Sequence, residues 1–479
     1  MSSDLSGAVP TGAAAACDAI GARMLAGHLR EGGAGSTISE NSEAGRGSHD
    51  GAADHRNVLV CPVGLALALA VLRAGAADAG TDAALGIDSA PGTDAAPALG
   101  ADGAPRVGVG TPDSIGPGAP GDSAAPLPRD LVWSAVQRAL RRFDVAGPEQ
   151  LRSFNPDAIQ ETPLVHIANN ILVVGEHVVR QDYLEAAKHW YDAEISRTPL
   201  AEAKTALDAW ADLHTGGLIK QSAIVLRPDT VLVLQNALLF AARWERRFTK
   251  ASTVEKQPFT RADGSTSRAD LMTSTRPYTL VAGPGWRALR LPYNGGGATG
   301  GPTLAMDVIL PNRVISPADL PASTWGEATR LLTAAQAEGH ATRVRLRLPR
   351  LDLSSQPTDL IGVVESLGVP LGSQDHIGPN VLVDQIVQQV RLTVAEEGTV
   401  AAALTEITAR SGALAGWEED FVVDHPYVLR IVDQASGIAL IEAAVLDPAA
   451  GSRPRCPVLV EGASRLRARL SRRRRGPSR

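Results

Sequence analysis

The sequence predicts an α+β fold, and three features carry that prediction. Apolar residues at helical spacing dominate the first part of the chain, and strand-like patterns dominate the last part. The two element types also fail to alternate regularly, which argues against a doubly wound α/β architecture. A hydrophobic content of 44% over 479 residues is ample for a large core.

Ile20, Met24, Leu25 and Leu29 place a helix over 18–30. Residues 31–56 are rich in Gly, Ser, Glu and Asp and read as a disordered insertion. The apolar segment Val58–Ala79 is interrupted by Pro62 and Arg73, so it falls short of a membrane span. A buried helix over 63–74 is predicted there instead. Residues 88–128, rich in Gly, Pro, Ala and Asp, read as a second disordered insertion. Helices are predicted over Leu131–Phe143, Gln181–Tyr191 and Ala201–His214, the last stopped by Gly216–Gly217.

Ile167–Val174 is strand-like, and Val231–Ala241 suits a strand buried on both faces. Trp286–Pro292 and Thr303–Leu310 read as two strands joined across the Gly-rich segment Asn294–Gly301. Over Thr342–Leu348, Val344, Leu346 and Leu348 alternate with Arg343, Arg345 and Arg347, the pattern of a half-buried strand. Two more strands follow, after Phe421 and after Gly437. One domain over 1–448 and an Arg-rich tail over 449–479 complete the expected organisation.

Enzymatic constellations are missing from the sequence. It has no GxSxG, HExxH or GxxxxGK[ST], and the glycines of 295–301 precede no helix with a lysine. Cys17, Cys61 and Cys456 stand far apart, so reduced thiols are expected, with neither a disulfide framework nor a zinc site. His49 and His55 lie beside Asp50 and Asp54 in the first insertion and read as solvated. His166, His189 and His214 fall in ordered segments and read as structural. No cofactor, metal or membrane contact is expected, and the chain is expected to be a monomer. The N-terminus has no signal-peptide pattern, which points to the cytoplasm. The net charge of −6 conceals a basic end, SRLRARLSRRRRGPSR, which reads as a solvated tail or as a contact for a polyanion.

The segment 395–419 stands out. It is too long for an ordinary connection, and Thr399, Ala401, Ala403, Thr405, Ile407 and Ala409 give it one uncharged face. The other face has Val400, Ala402, Leu404, Glu406 and Thr408, with a single charge. Such a stretch suits a loop that can also become a strand, although a helix or an edge strand is the plainer reading.

Several blocks in order resemble the serpins. These are NVLVCPVGLALALAVLRAGA at 57–76, HIANNILV at 166–173, ALDAWADLHTGGLI at 206–219 and LVLQNALLFAARW at 232–244. Phe248, Thr253 and Phe259 continue at the family's spacing, followed by LPYNGG at 291–296 and VILPN at 308–312. LTVAEEGTVAAAL at 392–404 is similar to the family's hinge, and FVVDHPYVLRIVDQASGIALIEAAVLDP at 421–448 to its closing motif. The resemblance implies helices packed around a large central mixed sheet, with further sheets and an exposed reactive-centre loop. It also implies suicide inhibition of a serine protease, in which the cleaved loop enters the central sheet as a new strand. The alternative is a serpin-fold carrier or interaction module, and the family extends the compartment to extracellular space.

By this resemblance the hinge comprises Glu396, Glu397, Gly398, Thr399, Val400, Ala401, Ala402 and Ala403, with Gly398 as its flexible point. The family's spacing places the scissile bond at Gly412–Ala413, whereas Arg410–Ser411 is the better bait for a trypsin-like enzyme. Leu414–Ala415 lies two residues late. Subtilisin-, elastase- and trypsin-like proteases therefore all remain as partners. The polar cluster that governs sheet opening maps onto Cys61, Asn236 and Gln388, with Trp244 above it. This chain departs from the family there: Cys61 and Gly64 replace serines, Gln388 replaces a histidine, and Ala241–Ala242 replace Lys-Gly. Tyr427 stands where Phe is usual.

Overall fold

A computed structural model describes residues 11–31, 56–87, 128–144, 147–156, 158, 161–295, 304–355, 358–383, 385–399 and 418–450. The two expected insertions, almost all of the Arg-rich tail and the loop 400–417 with its three candidate bonds lie outside the described residues.

The N-terminal part runs α1 (Thr11–Glu31), β1 (Val58–Val60), α2 (Pro62–Leu72), α3 (Ala79–Ala84), α4 (Pro128–Arg141) and α5 (Pro148–Arg152). Next come β2 (Leu164–Val174), α6 (Gln181–Tyr191), β3 (Glu194–Thr198), α7 (Leu200–His214) and β4 (Leu232–Arg243). Strands then dominate: β5 (Val254–Thr260), β6 (Thr266–Gly283), β7 (Trp286–Pro292) and β8 (Leu304–Pro311). After α8 (Thr324–Ala337) follow β9 (Thr342–Pro349), β10 (Leu351–Ser354), β11 (Thr358–Asp359) and α9 (Ile361–Ser366). The chain closes with β12 (Val387–Gln388), β13 (Arg391–Val394), β14 (Gly398–Thr399), β15 (Glu419–Val422), β16 (Tyr427–Asp433) and β17 (Ala439–Val445).

Pro62 starts α2 because its missing N–H belongs to the unpaired first turn of a helix. Almost every side chain of that helix is buried, so it runs through the core rather than along its edge. Gly216 and Gly217 have φ of +58° and +79°, the left-handed backbone that ends α7 as expected. The 18-residue strand β6, the helix α8 and the short β3 are additions to the expected pattern. β6 mixes Pro277, two arginines and several threonines, which dilutes any alternation. β3, EISRT, is almost wholly exposed.

The described strands form a nine-stranded sheet ordered β1-β17-β16-β8-β7-β6-β9-β15, with β5 on β6. A six-stranded sheet is ordered β10-β13-β14-β4-β2-β3, and β11 pairs with β12. In the larger sheet the arginine face of β9 lies outward while Val344, Leu346 and Leu348 are buried, as their alternation predicts. Two ends of the chain meet where the Asn57 side chain accepts from Leu446 and Asp447 N–H and donates to the carbonyls of Asp447 and Ala450. That role explains an asparagine at the start of the first block that resembles the family. Among the described residues no helix is long and apolar enough to cross a membrane, and Cys17 and Cys61 are buried free thiols.

Candidate functional site

The six-stranded sheet contains an incomplete seam. β4 pairs antiparallel with β2 along ten residues, from Ala241 opposite Leu164 to Leu232 opposite Val173. On its other side, among the described residues, β4 has only β14, with Gly398 opposite Arg243 and Thr399 opposite Ala242. β14 is antiparallel to β4 and also to β13, where Thr399 faces Val394. β4 and β13 are therefore parallel to each other, with a two-residue antiparallel strand started between them. Below that start a cleft of about 190 Å³ opens between Leu232–Leu238 and Gln385–Arg391, floored by Cys61, Gly64 and Leu65 of the α2 region.

The upper end of the seam is tightly held. Trp244 stacks on Tyr293 with ring centroids 4.6 Å apart, and its indole N–H donates to the Ala395 carbonyl at 2.8 Å. Trp244 N–H donates to Glu397 O, and Phe248 N–H to Glu396 O, each at 2.9 Å. The Thr399 side chain is fully buried and shares a 2.6 Å hydrogen bond with the Tyr293 hydroxyl. Glu396 accepts from Arg350 Nε at 2.7 Å and from Thr253 Oγ1 at 2.6 Å. Burial alone would raise the Glu396 carboxyl, but these hydrogen bonds outweigh it and hold the group below the usual carboxylate range.

Gly398 is needed for closeness. A Cβ there would stand 2.1 Å from the Ala242 carbonyl oxygen and 2.8 Å from Arg243 Cα, and its φ is not left-handed. The expectation of a merely flexible hinge point is thus refined: only glycine lets β14 approach β4. Small residues at Ala241 and Ala242 belong to the same tight crossing.

The lower end is held by side chains. Gln388 accepts from Cys61 N–H at 2.7 Å and donates to Cys61 O at 3.0 Å, tying the β12 segment to the start of α2. Asn236 donates to Asn169 Oδ1 at 2.9 Å and lies over Gly64, where a Cβ would sit 2.7 Å from Asn236 Oδ1 and 2.9 Å from Cys61 Sγ. A sulfur at position 61 therefore goes together with the lack of a side chain at position 64. Burial pushes the Cys61 thiol up to about 12, so it stays protonated. Of the expected sheet-opening group, Gln388 bonds Cys61 and Asn236 lies beside Cys61 across Gly64, whereas Trp244 sits apart from them, on Ala395 and Glu397 of the hinge.

Two further glutamines were not anticipated. Gln385 accepts from Val225 N–H at 3.0 Å and donates to Val225 O at 2.8 Å, and Gln389 accepts from Ala223 N–H at 2.9 Å. They bridge the cleft to the connector between α7 and β4. The only available sequence signal was the repeated glutamine of DQIVQQV, which by itself specifies nothing.

Residues 132–448, more than half of the chain, match the sequence model of the serpin (serine protease inhibitor) family. The chain belongs to the serpin family. Serpin-ZXA of Oryza sativa subsp. japonica is 28% identical over 315 residues, covering 60% of this serpin and 75% of that protein. Human thyroxine-binding globulin has a similar fold, with TM-score 0.63, 17% identity and coverage of 92% and 100% of the two chains. The thermophilic serpin tengpin in its native state gives TM-score 0.61, 18% identity and coverage of 91% and 93%. The serpin fold is established on this footing, and the candidate site of this serpin is the seam between β4 and β13. Tyr427, which stands in place of the family's Phe, is buried with no hydrogen-bond partner for its hydroxyl among the described residues.

Proposed function

We propose that this serpin inhibits a serine protease as a suicide substrate, with the cleaved loop entering the seam between β4 and β13. The observation that carries the reading is β14: two residues of hinge already lie antiparallel between two parallel strands, above an unfilled cleft. Continuing that register one residue at a time sets Ala401 opposite Phe240, Thr405 opposite Asn236 and Ala409 opposite Leu232. The uncharged face of 399–409 would then follow Thr399 onto the core side, where Val390, Leu392 and Val394 of the other wall are buried. Thr405 would fall between Asn236 and Gln388, placing a hydroxyl in the polar cluster. Glu406 would fall opposite Gln235 on the α7 side, near Ser222 and Lys204. A charge on the core side would cost several kcal/mol, and none falls there.

A second reading, a carrier or interaction protein without inhibitory action, is favoured by the three glutamine side chains that fasten the lower cleft. The two readings part in one experiment. Incubation with trypsin, subtilisin and an elastase is expected to give, with one of them, a complex that survives denaturing electrophoresis. The mass of the released peptide then chooses among Gly412–Ala413, Arg410–Ser411 and Leu414–Ala415. Clean cleavage with no complex would hand the lead to the second reading.

A further inference from the structure

The last residue of α7, His214, faces His166 of β2. His166 Nε2 and His214 Nδ1 are 3.0 Å apart. The two ring planes differ by 14° and their centroids are 5.3 Å apart. The rings are therefore edge to edge and nearly coplanar, with the two nitrogens pointing along one line. Each outer nitrogen meets a carboxylate. His166 Nδ1 is hydrogen-bonded to Asp144 Oδ2 at 2.7 Å, and His214 Nε2 is 3.1 Å from Glu194 Oε1, an ion-pair contact off the line of a hydrogen bond. Trp210 of α7 stacks on His214 at 4.5 Å and donates its indole N–H to Glu194 Oε2 at 3.1 Å. Both histidines are buried, 8% and 6% exposed.

Counting protons decides what this chain of groups is. A carboxylate only accepts, so His166 Nδ1 is an N–H, and a bare lone pair on His214 Nε2 would be repelled by Glu194 at 3.1 Å, which favours an N–H there too. Two neutral imidazoles would then turn bare lone pairs toward each other at hydrogen-bond distance. One more proton converts that repulsion into an N–H···N bond. We propose that His166 and His214 share a single additional proton, and that this charged pair clamps the C-terminal end of α7 to β2.

The surroundings favour a positive pair. Asp144 comes from the turn after α4 and Glu194 from β3, and the C-terminal end of α7 itself presents carbonyl dipoles that attract a cation. Glu194 is held below the usual carboxylate range, chiefly by its contact with His214. Arg141 of α4 lines the same cavity, but it is engaged with Asp192 and the Ile167 carbonyl. Lys188 and Glu185 of α6 line it as well, with opposite charges.

The clamp has an unusual dependence on acidity. A fourth proton places two N–H groups face to face, and loss of the third restores the opposed lone pairs. The clamp therefore fails in both acid and base, whereas a single histidine would change once. It also sits at a working point of the fold. Ala203 and Leu207 pack α7 onto Leu172, Val174 and Val233 of the six-stranded sheet, and the chain leaving α7 crosses the cleft at Ala223 and Val225. Resting on the inhibitory reading above, release of the clamp would ease strand entry.

The test uses the full chain with 15N-labelled histidine and no protease. One exchange-protected imidazole N–H, coupled to both rings, is expected at intermediate pH and absent from H214Q. Amide exchange in the last turn of α7 should be slowest over the same pH interval, and about tenfold faster in H214Q, the scale of one lost charge-assisted hydrogen bond. D144N, which keeps the packing of both rings, should show the same change to a smaller degree. Two imidazoles that titrate independently, or α7 exchange that varies in one direction only with pH, would overturn the proposal. Because no protease enters, these readouts decide the clamp even if the protein forms no inhibitory complex.

Discussion

The two sheets of this serpin solve opposite problems. The nine-stranded sheet is bound together by charges that are buried except at Asp18. Arg290 makes two hydrogen bonds to Asp307, at 2.7 and 2.8 Å, and Arg430 donates to Glu442 at 2.8 Å and also reaches Asp18. Arg430 further donates to the Trp325 carbonyl and the Thr329 hydroxyl, so strands, α1 and α8 share one network. Burial works against the Arg430 charge, and Glu442 and Asp18 more than offset it. Among the described residues, the seam of the six-stranded sheet has such a buried charge contact only at its upper end, where Glu396 meets Arg350. Its lower half is closed by neutral amide side chains, each contributing only about 1 kcal/mol. On the inhibitory reading proposed above, the sheet that has to open is the one more weakly fastened.

The largest expected effect tests that contrast directly. Cleavage anywhere within 410–415 should raise Tm by about 10 °C or more, because filling the seam supplies a full set of strand hydrogen bonds and buries the apolar face of the loop. Scanning calorimetry of the cut and uncut chain checks this. An unchanged Tm would mean that the seam does not accept the loop, and the contrast would fail on its more interesting side.

Next in size is a matched pair of substitutions. R430M leaves Glu442 and Asp18 as uncompensated charges and is expected to cost about 3–5 kcal/mol in urea unfolding. Q388A removes the tie to Cys61 and is expected to cost about 1–2 kcal/mol, while speeding conversion of the cleaved chain to its more stable form. If both cost the same, the two sheets are not energetically different in kind.

A smaller effect sharpens the view of the cleft floor. G64A sets a methyl 2.7 Å from Asn236 Oδ1 and 2.9 Å from Cys61 Sγ, which should cost about 1–3 kcal/mol. Adding C61A vacates the space of the sulfur and should restore about 1 kcal/mol of the loss. Strict additivity of the two substitutions in urea unfolding would show that positions 61 and 64 are independent.

These differences mark what could be read from the sequence. The helix α6 was legible because one side-chain period decides it, and α2 and β4 because sustained apolar runs mark them, although β4 is only partly buried along its lower half beside the cleft. The partners Cys61 and Gln388 were legible only through resemblance, since 327 residues separate two groups joined by hydrogen bonds. Gln385, Gln389 and the His166–His214 pair were not legible. Their roles come from where a side chain lands after the sheet has formed, and no local pattern encodes that. β6 escaped because Pro277 and its polar neighbours dilute the alternation of a strand whose pairing is set by β5, β7 and β9.

The smallest effect concerns acidity at the upper end of the seam. Glu396 is held below the usual carboxylate range in the folded chain by Arg350 and Thr253, against the opposing effect of burial. A depressed folded value means that the group contributes stability fully above its unfolded pKa of about 4.3, and that this contribution fades as pH falls through the folded value. The wild type should therefore exceed E396Q in Tm by a constant margin from neutral pH down to about pH 5. Below that the margin should shrink, because the wild-type carboxyl takes up the proton that the amide already imitates. Since Glu396 O also accepts from Phe248 N–H next to β14, the same acidification should loosen the hinge before the buried Arg430 network is disturbed. Faster exchange of the Phe248 and Trp244 amides in acid, with the amides of β16 unchanged, is the expected order. The reverse order would place the weak point of this fold in the nine-stranded sheet.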